Sequence, residues 1–179
     1  MAQMAILIAI VLIMAFTPLG YLKTPGLEIS LIPIVVSIGA MVIGPGAGAV
    51  LGTVFGLTSF YQCFGMSAFG AMLLSINPVF TFLVCVPTRI LEGLLAGYIF
   101  KALMKVDKTK TVSYFVGGFF TAFLNTVLFV GILTVLFWNT DYLQRLNTAV
   151  DNAFMLFVAF VGINSVVEWL TTTVVGGVV

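Results

Sequence analysis

Three charged side chains stand inside long apolar stretches of this 179-residue chain: Arg89, Glu92 and Glu168. A charge at the centre of a bilayer costs about 2.5 to 3.5 kcal/mol on insertion scales, so each needs a functional or structural reason. A guanidinium offers bidentate recognition of a carboxylate, and carboxylates and amides offer hydrogen bonds to hydroxyl and amide groups. Other chemistry is absent. There is no histidine, which removes Ser-His-Asp and Cys-His nucleophilic catalysis, His-ligated zinc and histidine proton relays. The two cysteines, Cys63 and Cys85, form no CxxC pair and read as packing residues, with no disulfide expected. No metal site is expected, and no Walker motif is present, so the chain itself uses no ATP and no other cofactor.

Polar residues recur at helical spacing around these charges. Asn77, Thr81, Cys85, Thr88/Arg89 and Glu92 fall three to four residues apart, on one helical face. Thr121 and Asn125 share a second face, and Asn164, Glu168 and Thr172 a third. Arg89, Asn125 and Asn164 each lie about 18 Å in from one end of their helices, so they can meet at one depth. Such a set makes a polar pocket for a small solute carrying a carboxylate and amide or hydroxyl groups. The same residues also admit structural readings. Arg89 can pair with Glu92 or with Glu168, and Asn125 and Asn164 can act as interhelical hydrogen-bond glue.

The elements that must position these residues are membrane helices. The composition is 61% hydrophobic and 7% charged, against about 25% charged for a soluble domain, and the mean hydropathy is +1.25. The net charge of +1 leaves no basic surface for nucleic acid. No charge occurs from Ile29 to Thr88, on the order of 90 Å if it were one helix, so this stretch must fold back. Gly44-Pro45-Gly46 and the segment from Cys63 to Asn77-Pro78 supply the breaks. The reading is all-α: a six-helix transmembrane bundle in one integral membrane domain over 1-179. Its spans run at about 4-17, 28-43, 47-62, 77-103, 112-137 and 151-174. The apolar start lacks the basic flank and cleavage site of a signal peptide and is kept as the first span. Lys101, Lys105, Lys108 and Lys110 mark the loop between spans four and five as cytoplasmic, while Lys23 and Arg145 fall on the opposite side. Both termini are therefore expected in the cytoplasm, with the chain multi-pass in the cell membrane.

Small residues carry two further patterns. Gly48, Gly52 and Gly56 form a GxxxGxxxG ridge on span three, suited to close helix packing within the monomer. Ala5 and Ala9 form AxxxA on span one, spacing that suits docking to another helix. The loops 18–28 and 63–76 are long, apolar and rich in glycine or proline, suited to closing over a bundle mouth.

The AxxxA of span one, the stretch IPIVVSIGAMVIGPGAGAVLGTVFGLTSF from Ile32 to Phe60 and INPVFTFLVCVPTRILEG from Ile76 to Gly93 resemble the S components of energy-coupling factor (ECF) vitamin transporters, with the pantothenate-type branch most similar. The resemblance covers nearly the whole chain. It implies a substrate-binding membrane subunit, not an enzyme. Such a subunit captures a small water-soluble vitamin from outside, closes the loop after span one over it, and topples against a shared coupling subunit while two cytoplasmic ATPase subunits supply the energy. It further implies that Ala5 and Ala9 contact the coupling subunit. The resemblance points to a ligand site among Asn77, Asn125, Asn164 and the loop around Lys23; Arg89 and Glu168, from the polar set, complete the candidate residues. Pantothenate is the expected ligand, with folate, niacin, biotin and riboflavin as alternatives. A membrane assembly subunit without a ligand is the other alternative, and an intramembrane enzyme has no base or carboxylate dyad to stand on.

Overall fold

The computed structural model describes residues 2–18, 20–24, 27–107, 111–140 and 153–178, with backbone alone for 22–24, 27–29, 111, 153–164 and 178. Asp141, Tyr142 and Arg145 of the expected outer loop, Lys108 and Lys110 of the lysine loop, and the side chains of Lys23, Glu28 and Asn164 lie outside this description.

Seven helices and one hairpin are described. They are α1 (Ala2–Phe16), β1 (Tyr21–Thr24), β2 (Leu27–Ser30), α2 (Ile32–Val42), α3 (Pro45–Gln62), α4 (Ala68–Ile76), α5 (Pro78–Val106), α6 (Thr111–Phe137) and α7 (Ala153–Val178). Pro78–Val106 and Val112–Phe137 are long and apolar enough to cross a membrane, and α1 and α2 are shorter apolar helices. The outward surface is apolar: Ile6, Val79, Val135 and Leu170 are all exposed. Among buried side chains the hydroxyls of Thr58, Thr81, Thr88 and Thr121 donate to carbonyls of their own helices, the expected solution where no water is at hand.

Two segments depart from the sequence reading. The stretch after α1, read as an irregular loop, is an antiparallel hairpin with Tyr21 opposite Ser30 and Lys23 opposite Glu28. Its base is closed by Leu31 N–H donating to Gly20 O at 2.9 Å. Span two therefore begins at Ile32, with Pro33 in its first turn, and not at Glu28, which belongs to the hairpin. The apolar interruption 63–76 holds α4, whose N-cap Ser67 accepts from Gly70 N–H at 3.2 Å. This cap satisfies one of the free donors at the helix start.

The break at Gly44-Pro45 is as the composition demands. Gly44 has φ +127°, a backbone conformation that favours glycine, and Pro45 opens α3 at its first turn, where its missing N–H costs nothing. The glycine ridge then packs inside the monomer. A Cβ at Gly48 would stand 2.2 Å from Gly93 O, at Gly52 2.1 Å from Arg89 O, and at Gly56 2.8 Å from the Val86 α-carbon. α3 and α5 are thus in backbone contact through three helical turns. α6 and α7 meet as closely at Gly118, where a Cβ would be 2.5 Å from Thr172 O. Val11, Ala15, Ile32, Val36, Leu51 and Phe55 form the α1–α2–α3 core, and Leu73, Val84, Leu133 and Phe137 form that of α4, α5 and α6.

Candidate functional site

A cavity of about 140 Å³ opens among α3, α4, α5, α6, α7 and the base of the hairpin. α5 contributes Cys85 and Arg89, one helical turn apart and so on one face. α6 contributes Asn125, Thr126 and Phe129 by the same spacing, and α7 contributes Ser165 and Glu168. Gln62 and Cys63 close it from the end of α3, Phe69 from α4, and Tyr21 and Ser30 from the hairpin.

Arg89 is the central feature. Its side chain is buried, with the guanidinium carbon 4.9 Å from the Phe55 ring centroid and 4.5 Å from that of Phe129. These aromatic faces stabilise the cation without neutralising it. Nη1 donates to the Thr88 hydroxyl at 3.4 Å, while Nε has no partner. Among the described residues no ion pair within 4 Å joins Arg89 to Glu92 or to Glu168. Glu168 Oε1 accepts from Asn125 Nδ2 at 2.6 Å, which leaves Asn125 Oδ1 unpartnered. Glu92 is fully buried with no hydrogen-bond partner on either oxygen and lies outside the cavity wall. The Trp169 indole N–H donates to Thr126 Oγ1 at 3.3 Å and ties α7 to α6 beside the site.

Of the residues proposed from sequence, Arg89, Asn125 and Glu168 come together in the cavity wall. Asn77 does not. It is the N-cap of α5, and its Oδ1 accepts from Val79 and Phe80 N–H at 3.0 and 3.2 Å, so its periodic placement reflects helix initiation. Thr81 and Thr88 share the Arg89 face, but their hydroxyls are taken by backbone carbonyls. The described structure places Lys23 in β1 and Asn164 in α7 without their side chains. Gln62, Ser59 and Cys63 escaped the sequence reading although their spacing of three and four puts them on one α3 face. Phe129 escaped it as well, four residues after Asn125. Gln62 is partly committed, since its Nε2 donates to Ala15 O and fastens α3 to the end of α1.

The model of the ECF transporter substrate-specific component family matches residues 1–178. The chain belongs to that family. Among curated proteins nothing matches it. As an ECF substrate-specific component it is a membrane-embedded subunit of a transporter and not an enzyme. Membership also implies a small-molecule substrate and association with the coupling and ATPase subunits of an ECF transporter.

Proposed function

We propose that this S component captures a small carboxylate vitamin, pantothenate first among candidates, in the Arg89 cavity. One observation carries the reading: among the described residues Arg89 is a buried cation with no carboxylate within 4 Å, and it shares its cavity with an Asn125 carbonyl oxygen that has no donor. A ligand carboxylate supplies the missing anion, and a ligand amide N–H or hydroxyl supplies the missing donor. The Phe69 and Phe129 rings give the apolar walls that a short carbon skeleton needs.

In this reading α1, α2, α3, α5, α6 and α7 are the six spans, the hairpin end faces outside, and both termini face the cytoplasm. The hairpin and the 63–76 segment close over the ligand. The exposed Ala5 and Ala9 on α1 meet the coupling subunit, against which the protein topples while two cytoplasmic ATPases hydrolyse ATP. Isothermal titration of the detergent-purified protein with pantothenate and a vitamin panel tests the reading. Binding heat with pantothenate is expected; no heat with any vitamin, from a monodisperse sample, ends it.

The 2.6 Å Asn125–Glu168 bond between α6 and α7 favours a second reading, an assembly subunit whose polar residues only staple helices. In that case the titration stays silent while substitution of Asn125 unfolds the protein.

A further inference from the structure

The two cysteines are distant in sequence and adjacent in space. Cys63 ends α3 and Cys85 lies on α5; both are free thiols, buried at 4% and 3% exposure, and both line the cavity. With Val86 they form one packed cluster between α3 and α5. The Cys63 thiol also donates to Ser59 O at 3.3 Å. The packing expected of the cysteines from sequence is present, but two clustered thiols in the wall of one cavity are more than packing requires. Cys85 stands one turn before Arg89 on the same face of α5. On the other side, α4 rests directly on Cys63: a Cβ at Gly70 would lie 2.6 Å from its Sγ. The pair therefore joins the α3–α4 end of the cavity to the helix that carries Arg89.

We propose that Cys63 and Cys85 are a redox-active dithiol in the cavity wall, which a low-molecular-weight disulfide oxidises to an intramolecular bond that clamps the 63–76 segment to α5 and slows ligand capture. In the first step one cysteine thiolate attacks a sulfur of the small disulfide; that S–S bond breaks and one small thiolate leaves. The second cysteine then attacks the mixed disulfide, forming the Cys63–Cys85 bond and expelling the other small thiolate. The two cysteine sulfurs are oxidised, the small disulfide is reduced to two thiols, and the two cysteine protons end on those thiols or in solvent. Forming the bond draws Cys63 inward from packing contact to covalent distance. Because α4 seats on Cys63 through Gly70, that movement is passed to the wall that carries Ser67, Phe69 and Leu73. The effect on capture rests on the function proposed above; formation of the disulfide does not.

The test uses the full chain in lipid nanodiscs, treated with oxidised glutathione and then with N-ethylmaleimide. The expected protein has lost the mass of two hydrogens, carries no maleimide, and shows slower amide hydrogen exchange over 63–76. Pantothenate, as the probe, then associates about tenfold more slowly, within the range of coupling between two sites, and dithiothreitol restores the rate. Cys63→Ser and Cys85→Ser each remove the response to the oxidant. Maleimide on both cysteines after oxidant, or unchanged exchange over 63–76 in the oxidised protein, overturns the proposal. A reduced protein that takes up no pantothenate counts against the pantothenate reading alone, since mass and exchange still decide the dithiol.

Discussion

The α-carbon of Gly52 on α3 sits directly against the backbone carbonyl of Arg89 on α5, so close that a methyl group there would stand 2.1 Å from the oxygen. The position of the one buried guanidinium among the described residues is thereby set by a glycine on another helix. Gly52→Ala is expected to push α5 away, at a cost of about 1–3 kcal/mol for overpacking, and to weaken ligand binding by moving Arg89. Gly46→Ala is the control, because a Cβ at Gly46 meets nothing within 4 Å. Thermal unfolding in detergent should show a lower Tm for Gly52→Ala and an unchanged or raised Tm for Gly46→Ala.

Arg89 has no carboxylate within 4 Å among the described residues, so its removal should separate binding from folding. Arg89→Met keeps the length of the side chain and removes the charge. Loss of a charge-assisted hydrogen bond of about 1.5–3 kcal/mol predicts a ten- to hundredfold weaker affinity for a carboxylate ligand. The Tm should hold or rise, as replacement of buried charges by apolar groups often does. Calorimetric titration with pantothenate, run beside thermal unfolding, reads both; a large fall in Tm would mark Arg89 as structural.

Asn125 and Glu168 behave as a unit. Asn125→Ala leaves the Glu168 carboxylate without its donor and should destabilise the protein by about 1–3 kcal/mol. Glu168→Gln keeps an acceptor for Asn125 and is expected to fold close to normally. A binding site requires that Glu168→Gln change ligand affinity at nearly unchanged Tm; a staple requires that affinity follow stability in both variants.

The role of Asn77 as a helix cap is open to a simple check. Asn77→Ala should cost about 0.5–2 kcal/mol of stability and leave ligand affinity untouched, and Asn77→Asp or Asn77→Ser should restore most of the loss. A loss of affinity in Asn77→Ala at unchanged Tm would return the residue to the site.

Ala5 and Ala9 are exposed on α1, and nothing inside the protein requires their small size. Replacing either with Trp should abolish vitamin uptake in cells that carry the complete transporter while leaving vitamin binding by the isolated protein intact. Unchanged uptake in both variants would remove the coupling face from α1.

What the sequence alone determined was the set of elements dictated by local composition. A nearly chargeless chain has to place apolar helices in lipid, and the Gly44-Pro45 turn, the lysine-rich end of α5 and the glycine ridge of α3 are all legible because each acts within a few residues of its own position. Helical periodicity likewise aligned Arg89, Asn125 and Glu168 with the interior, since a polar side chain in an apolar helix has nowhere else to go. Periodicity could not separate a ligand site from a cap, and Asn77 was taken for the former because a capping asparagine falls on the same face as the residues that follow it. The hairpin was missed because its pairing of Tyr21 with Ser30 depends on register across a turn, and α4 because one short helix is held in place by what it packs on. Only the tertiary structure decided that Arg89 pairs with neither Glu92 nor Glu168, and that Cys63 meets Cys85. The meeting of Cys63 and Cys85 depends on the distance between α3 and α5, which Gly52 and Gly56 set by letting two backbones touch.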